Sequence, residues 1–284
     1  MATFYNKATL TYNNGSTDSN LVSGELTEVL SATKTALDSE YNLDCPNTYL
    51  ISIVNTGNIA FSGLTVTDDL GQYTCSAGEL TPLDYVGGSV KYFINGALQA
   101  APTVKHTSPL TITGINVPAN GNALIIYKAY ANEYAPLGSD ASITNNVTIS
   151  GCTLSGDVTA SETVDFANDY DLSITKTLSP ETVTEDSQIT YTFIIQNRGG
   201  AAVTAGDNAA VTDTFNPILS NISVTLDGTP LAATTGYTYN TSTGEFATVA
   251  GQITVPAATF SSDEDTGVWT TTPGVTVLKV IGTI

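Results

Sequence analysis

Positive charge is scarce in this chain. Its 284 residues include 8 Lys and Arg against 27 Asp and Glu, which gives a formal net charge of −19. Such a chain repels the phosphates of nucleic acids and the headgroups of anionic lipids, so we expect no nucleic-acid partner. Charged residues make up only 12% of the sequence, and the polar surface must come from Thr, Ser, Asn and Gly. This composition is typical of β-rich surface proteins.

Long apolar runs are also missing. No stretch approaches the roughly 18 apolar residues that indicate a transmembrane helix, so we expect no membrane insertion. Residues 1–7 lead into alternating polar and apolar positions. They do not form the apolar core of about 7–15 residues that marks a signal peptide. We expect export through a leader removed from this sequence, or by another route such as lysis of a mother cell.

Cysteine is rare, and the three that occur, Cys45, Cys75 and Cys152, do not have the spacing of a metal site. Free thiols, one disulfide with a leftover thiol, and a bridge between chains all remain open. No cofactor is predicted. The acidic residues at Asp68-Asp69 and in residues 262–265 could bind calcium, which prefers clustered carboxylates. Because they lack the spacing of an EF-hand, solvated acidic loops are the favoured interpretation.

An internal repeat organises the sequence. Residues 30–55 align with residues 172–197 without a gap and share Lys, Tyr and Asn positions. A Val-Thr-Asp triplet follows at 66–68 and again at 211–213, and residues 123–131 correspond loosely to residues 275–283. The chain therefore contains two copies of one unit.

Each copy alternates apolar and polar residues with a period of two, and Gly, Asn and Pro clusters separate the runs. Short runs of this kind, rich in Thr, Val, Ile and Tyr, predict β-strands, and no helical stripe interrupts them. We predict an all-β protein of two tandem immunoglobulin-like sandwiches.

The second copy lacks its final strand. The first copy ends on Ser-Ile-Thr-Asn-Asn-Val-Thr-Ile-Ser (142–150), but nothing similar follows residue 283. The N-terminal residues 3–12 supply the likeness, with Phe4, Asn6, Ala8 and Leu10 matching Ile143, Asn145, Val147 and Ile149. We therefore divide the chain into a donor strand with linker (1–20), a first sandwich (21–155) and a second, incomplete sandwich (156–284).

An incomplete sandwich exposes an apolar groove and an unpaired sheet edge, which an added strand can fill. Residues 1–12 would either close their own chain or enter the second sandwich of the next chain. The second arrangement is heterologous and open, so it generates a filament and makes the protein its own partner. The first gives a monomeric adhesin or wall-attached spacer.

The repeated pattern resembles the DUF11 repeat of bacterial and archaeal surface proteins. It reads L-x-[IA]-T-K-T, then Y-x-[IF]-x-[IV]-x-N-x-G, then V-T-D, then I-T-N-x-V-x-[IV]. The first copy has Asn-Thr-Gly at 55–57, and the second departs from it with Asn-Arg-Gly at 197–199. The resemblance implies an immunoglobulin-like sandwich in a cell-surface or wall-associated protein. We expect a place outside the cell, on the cell or spore surface.

For each copy, the alternation along the strands puts a Lys, an Asp and an Asn side chain on the face that points into the core. The sets are Lys34, Asp68 and Asn145 in the first copy, and Lys176, Asp213 and Asn6 in the second. Burial lowers the pKa of a lysine toward the nucleophilic neutral amine, and a protonated carboxyl can polarise a carboxamide. These groups predict a spontaneous Lys–Asn isopeptide bond, which would join subunits if Asn6 came from a neighbour.

Other interpretations remain open. The lysines could form unreactive buried ion pairs with Asp68 and Asp213, or a bulge could shift the parity and place them in water. Asn146 could replace Asn145. Outside these sets we find no nucleophile–base pair, so we predict a self-polymerising structural subunit of a surface fibre and not an enzyme.

Overall fold

The computed structural model describes residues 2–26, 29–151, 154 and 156–284. Strands dominate this part of the chain, so the prediction of an all-β fold is confirmed. One turn of 3-10 helix, Ala205–Asp207, interrupts them. No helix among the described residues is long and apolar enough to cross a membrane.

The chain begins with a β-hairpin of two arms, each divided into two short strands. Its strands are β1 (Ala2–Asn6), β2 (Thr9–Tyr12), β3 (Gly15–Asp18) and β4 (Val22–Leu26). β1 pairs with β4 and β2 pairs with β3, both antiparallel. The sequence predicted one strand over residues 3–12, whereas Lys7 and Ala8 interrupt it and it pairs within its own hairpin.

The next part of the chain builds two six-stranded sheets. The strands are β5 (Leu30–Ala36), β6 (Glu40–Tyr41), β7 (Asn47–Asn55), β8 (Phe61–Asp68), β9 (Tyr73–Cys75), β10 (Gly78–Leu80), β11 (Leu83–Tyr85), β12 (Lys91–Ile94), β13 (Ala97–Leu98), β14 (Thr103–Thr107), β15 (Leu110–Val117), β16 (Gly121–Ala131), β17 (Ser142–Ser150) and β18 (Val158–Phe166). One sheet runs β13-β12-β16-β7-β5, with β11 also on β16, and the other runs β14-β15-β8-β17-β18-β6. Strands β9 and β10 pair separately.

The last part of the chain builds smaller sheets. The strands are β19 (Leu172–Ser179), β20 (Gln188–Asn197), β21 (Thr212–Thr214), β22 (Ser220–Leu226), β23 (Thr229–Pro230), β24 (Tyr237–Tyr239), β25 (Glu245–Thr248), β26 (Thr259–Ser262), β27 (Trp269–Thr272) and β28 (Gly274–Thr283). A five-stranded sheet runs β19-β20-β28-β22-β23, a three-stranded sheet runs β21-β25-β24, and β26 pairs with β27.

The chain divides into two compact units. Unit 1 comprises Met1–Thr74, Glu79–Asn132 and Ile143–Val164, and unit 2 comprises Cys75–Gly78, Glu133–Ser142 and Asp165–Ile284. The longest segment of unit 2 begins at Asp165, and β18 extends the sheet of unit 1 beyond β17. The N-terminal hairpin belongs to unit 1.

The aligned asparagines Asn55 and Asn197 make matching hydrogen bonds. Asn55 donates from Nδ2 to the carbonyls of Ile59 and Pro118, at 2.8 and 2.9 Å. Asn197 donates in the same way to Ala201 and Pro256, at 2.6 and 3.1 Å. In both units the Oδ1 atom accepts from the glycine two residues later. The Asn-x-Gly motif therefore ties a strand end to two loops, which explains why both asparagines are buried.

One part of the alignment needs correction. Tyr127 lies opposite Tyr49 in unit 1, and Val280 lies opposite Tyr191 in unit 2. Because Tyr49 and Tyr191 are equivalent, Val280 is the counterpart of Tyr127, one residue beyond the position that the sequence alignment gave. A one-residue slip exchanges the two faces of a strand, and buried Tyr127 would otherwise match exposed Lys279.

Candidate functional site

The first Lys–Asp set lies in the core of unit 1. Lys34 projects from β5 and Asp68 from β8, which belong to different sheets, and Nζ lies 2.6 Å from Oδ2. Neither side chain has any exposed surface. The alternating pattern of β5 puts Lys34 on the face that packs inward, as Leu30 does. A fully buried ion pair therefore crosses the interior of unit 1.

A tyrosine that the sequence analysis missed extends this pair to the asparagine. The Tyr127 hydroxyl donates to Oδ2 of Asp68 at 2.7 Å and accepts from Nδ2 of Asn145 at 2.9 Å. The inward parity of residue 127 on β16 was the available signal. The structure thus connects Lys34, Asp68 and Asn145 into one hydrogen-bonded chain through Tyr127.

Burial shifts the protonation of both members of the ion pair. Desolvation lowers the pKa of Lys34, and the attraction of Asp68 opposes that shift only in part. Desolvation also raises the pKa of Asp68, and the hydrogen bonds from Lys34 and Tyr127 offset that rise only in part. Both directions favour a neutral amine beside a protonated carboxyl. Those are the protonation states that amine attack on a carboxamide requires.

The two neighbouring asparagines of β17 have different environments. Asn145 is fully buried, and among the described residues its Oδ1 has no hydrogen-bond partner. Asn146 is exposed, and it donates from its backbone amide and its Nδ2 to the carboxylate of Asp69. Of these two, Asn145 is the one linked to Asp68 and Lys34, through Tyr127.

The second Lys–Asp set is open to solvent. Lys176 forms an ion pair with Asp213, but their side chains are 40% and 17% exposed. The Lys176 Nζ atom lies 4.7 Å from the centre of the Tyr191 ring. Val280 stands where the first set has Tyr127, so this set has no equivalent hydroxyl. Asn6 is exposed and lies opposite Val22 in the N-terminal hairpin.

The strand that carries Lys176 is uncovered along its whole length. Every residue of β19 is exposed, whereas its counterpart β5 is partly buried. Leu30 is 6% exposed, but its equivalent Leu172 is 48% exposed, and Ile174 is 54% exposed. The same sequence pattern is therefore a core strand in unit 1 and an apolar surface in unit 2.

The opposing sheet of unit 2 stops at β21. In unit 1, β8 pairs with β15 on one side and with β17 on the other. In the described part of unit 2, the corresponding β21 pairs with β25 alone. An open groove of about 540 Å³ lies over the sheet β21-β25-β24 and includes Asp213 and Phe246 in its walls. Unit 2 thus presents an unpaired strand edge beside its Lys–Asp set.

The predicted donor residues are solvent-exposed. Phe4 is 58% exposed and Leu10 is 66% exposed, and Asn6 and Ala8 are exposed as well. Isolated exposed apolar residues are common, but a contiguous set indicates an interaction surface. Tyr12 and Val22 of the same hairpin are exposed as well.

The cysteines and acidic loops add no further site in the described residues. Cys45 and Cys75 are free thiols and are not joined to each other, and Cys152 lies outside the described part of the chain. No group of three or more His, Cys, Asp or Glu residues within those described ranges is arranged to hold a metal ion. Asp68 is engaged by Lys34 and Tyr127, and Asp263 accepts hydrogen bonds from Asp265 and Thr266 of its own loop.

Comparison with known proteins gives similarities of structure only. No family model matches the chain, and no curated protein matches it. The major pilin subunit BcpA of Bacillus cereus is similar at 14% identity over 95% of this chain and 73% of its own, with a TM-score of 0.36. The pilus backbone of Streptococcus pneumoniae is similar at 10% identity over 86% and 55%, with a TM-score of 0.35.

A collagen-binding domain from a Staphylococcus aureus adhesin is similar at 15% identity. The match covers 50% of this chain and 99% of that domain, with a TM-score of 0.31. Similarity at these levels does not establish shared function. The resemblance to the DUF11 repeat is not shown by these comparisons and stays a prediction.

Proposed function

We propose that this chain is a structural subunit of a fibre on a cell or spore surface. Residues 1–12 of one copy would complete unit 2 of the next, and repetition of this contact would give a head-to-tail filament. The observation that carries the proposal is the exposed apolar row of β19, whose counterpart in unit 1 is a partly buried core strand.

The two exposed surfaces are complementary in kind. The acceptor offers apolar side chains at Leu172, Ile174 and Leu178 beside the free edge of β21. The donor offers Phe4 and Leu10 on a segment that repeats the pattern of β17. Strand addition would satisfy the backbone groups of the edge and bury both apolar rows at once. Because the contact joins different surfaces of two copies, it would propagate without closing.

We further propose that Lys–Asn isopeptide bonds lock the fibre. In unit 1 the neutral amine of Lys34 would attack Cγ of Asn145. A carbon–nitrogen bond forms, the Cγ–Nδ2 bond breaks, and ammonia leaves with one hydrogen from the amine. Asp68 would pass a proton toward the departing nitrogen and regain one from the lysine, so the carboxyl is regenerated.

The second set would react only in the assembled fibre. Lys176 and Asp213 belong to the acceptor, and Asn6 would arrive with the donor. The resulting bond would join neighbouring subunits covalently. Each reaction happens once, so the chain would not be an enzyme in the sense of catalytic turnover.

Electron microscopy and denaturing electrophoresis test the proposal together. We expect concentrated full-length protein to form fibres and a chain lacking residues 1–12 to remain monomeric. We expect ladders that survive boiling in detergent, and a mass deficit of about 17 Da per bond from the lost ammonia.

Different results separate the parts of the proposal. Fibres from the shortened chain would place the joint elsewhere. A full-length chain that stays monomeric in light scattering at high concentration would favour the monomeric adhesin or spacer. Fibres without a mass deficit would retain strand donation but reject the covalent lock.

A further inference from the structure

Among the described residues, unit 2 lacks counterparts of two strands of unit 1, not of one. In unit 1 the sheet continues past β8 through two consecutive strands, β17 and β18, and ends on β6. Val164 of β18 is fully buried, so this second strand contributes to the core and not only to the edge. In the described part of unit 2, the sheet ends at β21, so counterparts of both strands are absent.

The N-terminal hairpin has the same composition of strands. Its two antiparallel arms, β1 with β2 and then β3 with β4, precede β5, just as β17 and β18 precede β19. In both hairpins the first arm is paired with the second. The hydroxyls of Thr144 and Thr163 meet across β17 and β18 at 2.9 Å, and Tyr5, the equivalent of Thr144, lies opposite Ser23.

The second arm of the hairpin carries part of the exposed apolar face. Val22 lies directly opposite Asn6, and Gly24 lies directly opposite Phe4, so these four residues share one face. A Cβ atom at Gly24 would collide with the Phe4 ring, which shows that the ring lies over the second arm. Val22 is 55% exposed beside it. The face that would meet an acceptor thus spans both arms.

From these placements we propose that the donated element is the whole hairpin of residues 2–26, and that its acceptor is unit 2 of a second copy of this chain. The inference rests on the proposed strand donation and specifies its extent. The acceptor sheet would then read β24-β25-β21, followed by the first arm and by β4.

The repeat also defines the register of the joint. In unit 1, Val147 lies opposite Asp68 and Ile149 opposite Val66. The equivalent positions put Ala8 opposite Asp213 and Leu10 opposite Val211. On the far side, β4 would reach residues 182–183 of the acceptor, the counterparts of β6, which borders β18 in unit 1.

A peptide competition assay on the full-length chain distinguishes one strand from two. A peptide of residues 1–26 should cap growing fibres and shorten them, as measured by electron microscopy and light scattering. A peptide of residues 1–13 lacks β4, and we expect it to need a concentration at least about tenfold higher for the same effect. Equal potency would overturn the hairpin proposal and leave single-strand donation intact. Fibres that neither peptide shortens would overturn both.

A matched pair of variants provides a second measurement. Val22→Asp puts a charge on the shared face, and Ser23→Asp puts the same charge on the opposite face of the same arm. We expect V22D to raise the concentration needed for fibre formation by about tenfold or more and S23D to leave it nearly unchanged. Equal behaviour of the two variants would contradict the proposed seating of β4.

The register has its own test. In a chain whose native cysteines are replaced by serine, Thr9→Cys combined with Thr212→Cys should form disulfides between subunits, because the register puts these residues opposite each other. Thr11→Cys with Thr212→Cys is the out-of-register control. Cross-linking of the control but not of the first pair would overturn the register.

Discussion

The hydroxyl of Tyr127 donates a hydrogen bond of 2.7 Å to the carboxylate of Asp68. In the first set, the Asp68 carboxylate accepts hydrogen bonds from both Lys34 and Tyr127. The second set, Lys176 and Asp213, has Val280 at the position of Tyr127. The two sets therefore share their lysine and aspartate but differ in how completely they are built. The first set reaches Asn145 through Tyr127, and the second pairs Lys176 with Asp213 without an equivalent tyrosine hydroxyl.

We predict that Tyr127→Phe slows bond formation in unit 1. The substitution removes the group that links Asp68 to Nδ2 of Asn145, from which ammonia would depart. It also leaves buried partners unpaired, at a cost of about 1–3 kcal/mol in unfolding free energy. Intact mass over time after refolding measures the bonded fraction, and chemical denaturation measures the stability.

Tyr49→Phe is the matched control. Tyr49 stacks on Tyr127 with ring centres 5.4 Å apart, but its buried hydroxyl has no partner among the described residues. Removing that hydroxyl should leave stability equal or slightly higher. Equal slowing of bond formation in Y49F and Y127F would refute a positioning role for Tyr127.

We predict unequal costs for the two lysines in the unpolymerised protein. Lys34→Met leaves Asp68 buried without its partner, which should cost about 3–5 kcal/mol. Lys176→Met breaks an ion pair that is partly in solvent and should cost about 1 kcal/mol or less. Urea denaturation of chains that lack residues 1–12 and carry Asn145→Ala provides the comparison, because the bond in unit 1 cannot form in them. Similar costs would mean that the first pair is more hydrated than its burial indicates.

We predict an unusual pH dependence for Asp68. Its pKa is raised in the folded protein above the value of 3.8 for an unperturbed aspartate. The folded state therefore binds this proton before the unfolded chain does, so the contribution of Asp68 to stability increases as the pH falls through that window. Most carboxylates in ion pairs have the opposite dependence.

The measurement uses Asn145→Ala, in which the bond in unit 1 cannot form. Its unfolding free energy is compared with that of the same chain carrying Asp68→Asn, between about pH 7 and about pH 4. We expect the chain that retains Asp68 to gain relative to D68N as the pH falls. A relative loss would show that the pKa of Asp68 is lowered.

The strand bounds and the inward positions of the Lys and Asp residues could be predicted from the sequence, because they depend only on alternation along one strand. The bounds of β17 agree with the predicted strand 142–150, and the inward positions of Lys34 and Asp68 follow from alternation along β5 and β8. The register of β5 on β7 equals that of β19 on β20, as the gapless alignment of residues 30–55 requires.

Features that depend on pairing between distant strands could not be predicted. The register of β16 on β7 decides whether residue 127 reaches Asp68, and the loose alignment there was wrong by one residue. The sequence pattern put residues 22–26 in the first sandwich, whereas they form β4 and pair with β1. Residues 158–166 carry no pattern that marks their pairing with β17.

We predict that Ile174→Asp abolishes fibre formation without unfolding the monomer. Ile174 is 54% exposed, so a charge there should change the unfolding free energy of the unpolymerised chain by no more than about 0.5 kcal/mol. In the proposed joint the same side chain is covered by the donor, where an unpaired carboxylate is costly.

Thr175→Asp, one residue along β19 and on its other face, is the matched control and should still permit fibres. Sedimentation and electron microscopy measure assembly, and circular dichroism during urea titration measures monomer stability. Fibres from I174D with unchanged length and critical concentration would show that β19 lies outside the joint, even if deletion of residues 1–12 prevents assembly.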